Sequence, residues 1–261
     1  DTIIFDMYDD IDANLSVSDF YTVINAGSYY HLFKCLDNNN GANSSVSPDF
    51  GHITGSNTEI YQTSDGYRWK YMYSVSSSIE AKFSSNTYFP VVVNSEVTST
   101  ATMGSIDIIK VEDGGKLYNN YITGTFTLDD LRINGNNKIY GVSNTLASSV
   151  NGYYTGCLLY ISGGDGLGEF RTINDYISNG NGNFIILDDG LNEPTNTSEY
   201  EIYPKINIVG DGFETTTAVG RALINAVSSN SVYRIEMLER GRNYQKVNVS
   251  VIANSVVGVS N

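Results

Sequence analysis

The chain has 261 residues, enough for one large domain or two to three small ones, and its 29 acidic against 15 basic side chains give a formal net charge of −14. That surplus of carboxylates argues against nucleic-acid binding and against acidic membrane surfaces, both of which need clustered Lys and Arg. No run approaches the roughly 18 apolar residues that span a bilayer, and the N-terminal stretch lacks the basic start and apolar centre of a secretory leader, so no membrane insertion is expected.

Only 17% of residues are charged, against about 25% in an average protein, and Asn, Gly, Ser and Thr fill the polar positions instead. Asn and Gly suit the turns of hairpins, while Tyr, Ile, Val and Thr suit half-buried strands. The two cysteines, Cys35 and Cys157, match no metal spacing and read as inert core thiols. The chain begins at Asp1 and ends with an apolar, strand-like run from Val247 to Ile252 followed by only a short tail, which reads as a fragment of something longer.

Along the chain, Val17 to Ile24 fits either a short helix or a strand. Tyr29 to Leu36 is a near-continuous apolar and aromatic run bounded by turn formers, the pattern of a largely buried strand. Asn38 to Ser64 is composed almost wholly of turn formers, longer than the about 12–15 residues usual for a structureless connection, and such loops commonly dock on a partner. Next, Asp65-Gly66 launches Tyr67, Trp69, Tyr71 and Tyr73 at two-residue spacing, which predicts a strand with one aromatic face. Ser76 to Phe83 reads as one short helix, and Phe89-Pro90-Val91-Val92-Val93 as an extended piece starting at an edge.

Beyond residue 105 the chain echoes itself. Ile106 to Tyr118 resembles Val232 to Tyr244: each reads as a strand, a Glu-x-Gly turn at Glu112-x-Gly114 or Glu239-x-Gly241, and then a Tyr that packs back onto the sheet, with Gly supplying φ > 0. Between them, short strands recur every eight to twelve residues or so with turn signals from 151 to 205, the mark of a small barrel or sandwich. Phe213 to Val227 fits one longer helix or a strand pair. The fold expected is therefore mainly β: an antiparallel β-sandwich or sheet core with an inserted small β-barrel-like module and few short helices. Its divisions would be 1–100, a β core holding the aromatic strand; 101–150 with 206–261, a β domain carrying the repeated motif; and 151–205, the insert.

Candidate chemistry is sparse. Gly164-x-Gly166-x-Gly168 lacks the Gly-Lys-Ser/Thr ending of a phosphate loop and reads as a hairpin turn. Asp165, Asp188 and Asp189 lack the spacing of a calcium loop. Glu112 and Glu239 invite comparison with the paired acids of sugar hydrolysis, but their matching context argues for turn roles. His31 lies in an apolar run and His52 in the long loop, neither in a recognisable triad or elbow. Catalytic, cofactor and metal sites are thus expected to be absent. The aromatic row reads as core more readily than as an exposed stacking platform, because each ring buries about 150–250 Å².

Cys35-Leu36-Asp37, the long loop containing Pro48, and Asp65-Gly66-Tyr67-Arg68-Trp69-Lys70-Tyr71-Met72-Tyr73 together resemble a baseplate wedge protein of contractile-tailed, T-even-like bacteriophages. Gly163 to Arg171, Tyr200 to Pro204 and Glu239 to Tyr244 are similar to segments of enlarged versions of that protein. The first likeness spans residues 28 to 93. It implies a non-enzymatic virion structural protein, assembled in the host cytoplasm into the tail baseplate. Such a protein would bridge neighbouring wedge proteins, support fibre attachment and act commonly as a homodimer within the larger assembly. Cys35, Leu36, Asp65, Gly66, Tyr67, Trp69 and Tyr71 carry over as fold-defining positions, and the loop marked by Asn38, Pro48, His52 and Ser64 is the candidate partner surface. The rival reading is a carbohydrate-binding or adhesin-type β domain of a tail or fibre protein; a tail-associated glycoside hydrolase ranks below both.

Overall fold

In a computed structural model, the residues described are 3–9, 12–49, 51, 60–91, 95, 101–118, 121–134, 137–192, 194–225 and 230–252, with 128–134 and 137 described by their backbone alone. The protein is mainly β, its ladders all antiparallel, and it divides into unit 1, Asp1–Met103, and unit 2, Gly104–Asn261.

Unit 1 holds one four-stranded sheet in the order β1-β2-β4-β3, from β1 (Tyr21–Asn25), β2 (Tyr29–Asp37), β3 (Ile60–Gln62) and β4 (Arg68–Ser76). The ambiguous N-terminal stretch splits into a single 3₁₀ turn at Leu15–Val17 and strand β1. The loop expected between Asn38 and Ser64 contains β3, which pairs with β4 through Ile60↔Lys70 and Gln62↔Arg68. The short helix forms as α1 (Ser77–Phe83); Phe89 to Val91 joins no strand, and Val92 and Val93 lie outside the described residues.

The aromatic row does not keep one face throughout. Phe33 pairs with Tyr71 and Leu32 with Tyr73, which leaves Met72 as an extra residue in β4. Because strand side chains alternate with period two, one inserted residue moves everything after it to the opposite face. Tyr67, Trp69 and Tyr71 therefore sit in a core with Phe20, Phe33 and Cys35. Tyr73 faces the other way, its ring centroid 6.4 Å from that of Phe89. A second bulge, at Leu36 between the pairs Cys35↔Trp69 and Asp37↔Arg68, explains how consecutive Cys35 and Leu36 are both buried.

Unit 2 contains a seven-stranded sheet ordered β8-β7-β11-β5-β6-β10-β9. Its strands are β5 (Ile122–Asn134), β6 (Asn137–Ser143), β7 (Leu158–Gly163), β8 (Phe170–Thr172), β9 (Asp175–Asn179), β10 (Gly182–Leu187) and β11 (Glu199–Tyr203). The edge strands β8 and β9 are consecutive in the chain. Between them Ile173 N donates to Cys157 O beside β7, and Asn174 N donates to Ile186 O in β10. One bent segment thus serves both edges, so the sheet curls around a single core of Tyr140, Tyr154, Leu159, Tyr176, Ile185 and Tyr200 among others, without a ladder closing β8 on β9. The module is barrel-like but starts earlier than residue 151, because β5 and β6 are central strands of the same sheet.

The rest of unit 2 consists of two ladders: β12 (Lys205–Val209) with β15 (Asn248–Ile252), and β13 (Thr216–Asn225) with β14 (Ser231–Arg242). Of the stretch from Phe213 to Val227, the described residues supply one strand, β13, rather than a helix or a strand pair, and Ala226 and Val227 lie outside the described residues. The two echoing segments lie side by side. Ile109 bridges Ile235, while Val232 N donates to Gly114 O, Ile106 N to Arg240 O, Tyr118 N to Asn230 O and Tyr244 N to Gly104 O. A constant shift of 126 positions converts each member of these pairs into its counterpart: Ile109 into Ile235, Gly104 into Asn230, Tyr118 into Tyr244. The same shift relates three pairs of left-handed residues, Gly104 (φ +62) and Asn230 (φ +51), Gly115 (+57) and Gly241 (+65), Leu117 (+67) and Asn243 (+63). Even the strands that follow begin at equivalent positions, Ile122 for β5 and Asn248 for β15. The repeat is therefore a duplicated arm pairing with itself about a local two-fold axis at Ile109 and Ile235.

That register corrects the sequence expectation at one residue. The partner of Gly241 is Gly115, not Gly114, so the spacing from Gly to Tyr is the same in both arms. Gly114 has an ordinary φ and is required for another reason: a Cβ there would meet Val232 O at 2.0 Å. Gly241 also lies within β14 rather than in a turn after it.

Candidate functional site

Three of the residues carried over from the resemblance, Asp65, Gly66 and Tyr67, meet at one feature of unit 1, the turn at Asp65 and the loop segment 38–49 held against it. Thr63 N donates to Tyr67 O and Gly66 N to Thr63 O, closing the β3–β4 hairpin with Gly66 at φ +88. A Cβ on Gly66 would lie 2.8 Å from the Asn39 side chain, so only glycine fits. Asp65 Oδ2 accepts hydrogen bonds from Ser45 N (2.8 Å) and Val46 N (2.9 Å), while Oδ1 accepts from Thr63 Oγ1 (2.5 Å) and more weakly from Tyr67 N (3.4 Å). Burial works against the charged carboxylate, but these donors outweigh it and lower the Asp65 pKa from its ordinary value.

Tyr67 fastens the same loop from below. Its Oη donates to Ala42 O at 2.5 Å and accepts from Phe5 N at 3.4 Å, while its ring stacks on Trp69 with centroids 5.6 Å apart and planes 18° apart. Phe5 lies nearly perpendicular to both rings, at 81° and 82°. Asn38 Nδ2 donates to Phe5 O, and Asn39 Nδ2 to Asp65 O. Pro48 is buried, whereas Asn43, Ser45, Ser47 and Asp49 are exposed. The segment is thus a polar outward surface held rigid by a carboxylate and a phenol beneath it. Of the other predicted positions, Cys35, Trp69 and Tyr71 lie in the core below, Leu36 is buried at its bulge and Ser64 is exposed in the hairpin turn. His52 lies outside the described residues.

Two further constellations were not legible from sequence spacing. In unit 1, His31 Nδ1 lies 2.5 Å from Ser74 Oγ, which is also 2.7 Å from Tyr71 Oη. His31 and Ser74 are direct cross-strand partners, and the Met72 bulge is what turns Ser74 to this face. Burial lowers the His31 pKa while the nearby Asp49 charge opposes that shift. Ser74 sits mid-strand, not at a strand-to-helix elbow, and its hydroxyl is shared with Tyr71, which fits an internal polar tie.

In unit 2, Arg221 of β13 stacks over the Tyr160 ring (4.1 Å) and binds Glu236 through Nε at 2.8 Å and Nη2 at 2.7 Å. Its Nη1 reaches Glu201 at 3.6 Å, and the Tyr203 hydroxyl donates to the same carboxylate. Burial, reinforced by the Glu201 carboxylate, pushes the Tyr203 phenol well above its usual range. These groups clamp the β13–β14 ladder to the curled sheet. The only sequence signal for it is a charged residue at an inward position of an otherwise apolar strand.

Glu112 and Glu239 are both exposed on their arms. Among the described residues no group of three or more His, Cys, Asp or Glu gathers as metal ligands. Among the described residues, too, no helix is long and apolar enough to cross a membrane. No family model matches the chain, and neither the curated proteins nor the solved structures contain a significant match to it.

Proposed function

We propose that the chain is a structural component of a bacteriophage tail baseplate wedge, bridging neighbouring baseplate proteins and supporting fibre attachment within the virion. The observation that supports this reading most is the loop segment 38–49. Its inner side is bonded to Asp65 and Tyr67, and its outer side offers exposed Asn43, Ser45, Ser47 and Asp49. A pre-ordered polar loop of this kind suits docking on another protein, because little conformational entropy remains to be lost on binding. The loop then contacts a neighbouring wedge protein, and the chain acts as a homodimer inside the larger assembly.

The test is association with tail assemblies. The chain should co-purify with tail particles, and the double substitution Asn43→Lys with Ser47→Lys should abolish that association while leaving the thermal midpoint unchanged. Absence of the unaltered chain from such particles would overturn the proposal. The rival reading, a glycan-binding domain, keeps only the loop as its contact, since Tyr67, Trp69 and Tyr71 are core residues. Binding on a glycan array that the same two substitutions remove would favour it.

A further inference from the structure

We propose that Asn179, at the tip of the β9–β10 hairpin, is a site of spontaneous deamidation, selected by the fold from among several Asn-Gly sequences. In this reaction the backbone nitrogen of the following glycine attacks the Asn Cγ, forming a C–N bond as the side-chain amide leaves as ammonia. Water then opens the resulting succinimide on either side, giving aspartate or isoaspartate. No oxidant, metal or enzyme is required. The reacting pair needs a free glycine N–H, an exposed tip and a Cγ held near that nitrogen.

Five Asn-Gly pairs occur in the chain, at Asn40, Asn134, Asn151, Asn179 and Asn181. Gly41 N is occupied by Asn38, donating to its backbone O at 3.1 Å and to its Oδ1 at 3.0 Å. Gly152 N donates to Tyr176 O at 2.7 Å, and Asn151 Oδ1 is held by Ser178 N at 2.8 Å. Gly182 sits in the ladder opposite Asn179. Gly135, which follows Asn134, lies outside the described residues. Gly180 differs from the others in that, among the described residues, nothing accepts a hydrogen bond from its nitrogen; it occupies the turn between β9 and β10, outside the ladder, and both it and Asn179 are exposed.

The side chain of Asn179 is also preset for attack. Asn181 N donates to Asn179 Oδ1 at 2.8 Å, folding the side chain over its own turn. That hydrogen bond falls on the oxygen where negative charge develops as the nitrogen adds, so the turn itself supplies an oxyanion donor. The product places a new carboxylate, or a lengthened isoaspartyl backbone, at the end of an edge hairpin in unit 2.

The test is peptide mapping by fragmentation mass spectrometry after incubating the intact folded chain at mildly alkaline pH, with a urea-unfolded sample in parallel. In the folded chain Asn179 should convert about tenfold faster than Asn40, Asn151 or Asn181, a barrier difference that one oxyanion donor readily supplies. In urea the four rates should converge. Gly180→Ala fits without a clash, since nothing lies within 4 Å of the added Cβ. It should slow conversion at Asn179 in the folded chain by crowding the attacking nitrogen, with folding unaffected. Equal rates at Asn179, Asn40 and Asn151 in the folded chain would overturn the proposal, as would an undiminished rate in Gly180→Ala.

Discussion

Unit 1 draws its core from one row of rings on adjacent strands, whereas unit 2 distributes tyrosines around a curled sheet and uses the hydroxyls of Tyr140, Tyr154 and Tyr176 to tie down the connections at Leu191 and Ser148. In unit 1 a single phenol, Tyr67, fastens the loop 38–49, and a carboxylate, Asp65, completes the job. In unit 2 the Tyr140 hydroxyl accepts from Leu191 N, the Tyr154 hydroxyl accepts from Ser148 N, and the Tyr176 hydroxyl donates to Ser148 O. Burial drives all of these phenols above their ordinary pKa, Tyr154 and Tyr176 to about 12. A buried tyrosine supplies apolar area and a backbone partner at once, so a chain poor in charge can order long connections without salt bridges. Unit 1 concentrates that strategy at one point; unit 2 repeats it.

The concentration makes unit 1 the more fragile. Trp69→Ala removes a fully buried ring that Phe5 and Tyr67 both touch, and should cost about 3–5 kcal/mol. Hydrogen exchange read by mass spectrometry should show β2 and β4 losing protection while β7 and β11 keep theirs. Equal loss across both units would break the comparison by showing that they unfold as one.

Gly241→Ala and Gly115→Ala probe the duplicated arm. Each forces a Cβ into the left-handed region, at about 1–2 kcal/mol. At Gly241 the new atom also meets backbone, 2.8 Å from Thr216 O and 3.0 Å from Ala218 N, whereas at Gly115 it meets the Tyr118 side chain, its hydroxyl at 3.0 Å and its ring at 3.1–3.4 Å. Chemical denaturation should therefore show the larger loss at Gly241. A larger loss at Gly115 would mean that the first arm, not the second, anchors the pair.

Asp65→Asn should destabilise unit 1 by about 1–3 kcal/mol, because an amide cannot replace both acceptor oxygens and leaves loop N–H groups unpaired. The pH dependence follows from the lowered pKa. A carboxylate whose folded pKa lies below its unfolded value, about 3.9, stabilises above that value and loses the contribution as pH falls through the folded one. Trp69 fluorescence, the chain's sole indole signal, should show unit 1 weakening below about pH 4 in the unaltered protein, with a shallower acid limb in the variant.

Much of unit 1 was legible because β2 is a near-continuous apolar and aromatic run between turn formers, β4 sets aromatic residues at two-residue spacing, and the pair Asp65-Gly66 announces a hairpin. Three features escaped for physical reasons. A bulge such as Met72 has no composition of its own, yet it decides that Tyr73 leaves the core and Ser74 enters beside His31. Strand β3 is only three residues long and takes its pairing from β4, so it was lost in turn-forming surroundings. The duplicated arms could be seen in sequence, but identity alone aligned Gly114 with Gly241. Backbone conformation, through the positive φ values of Gly115 and Leu117, was needed to set the register. The polar loop surface was marked by its length and composition, while the Arg221 clamp draws on β7, β11, β13 and β14 and has no local signature beyond the charge of Arg221 itself.

The smallest expected effect separates the two arms most finely. Tyr244 is buried and its hydroxyl accepts a hydrogen bond from Ala218 N at 2.9 Å, whereas Tyr118 at the equivalent position is only half-buried against the core of Ala222, Val232 and Ile235. Tyr244→Phe leaves a buried N–H without its acceptor and should cost about 1–2 kcal/mol. Tyr118→Phe should fall within about 0.5 kcal/mol of the unaltered protein, because a half-exposed hydroxyl is replaced by water at little cost. Paired urea melts measure the difference. A cost at Tyr118 matching that at Tyr244 would mean that the two arms are equivalent in energy as well as in backbone. The expected inequality means instead that, after duplication, only the second arm was tied by its tyrosine hydroxyl into the β13–β14 ladder.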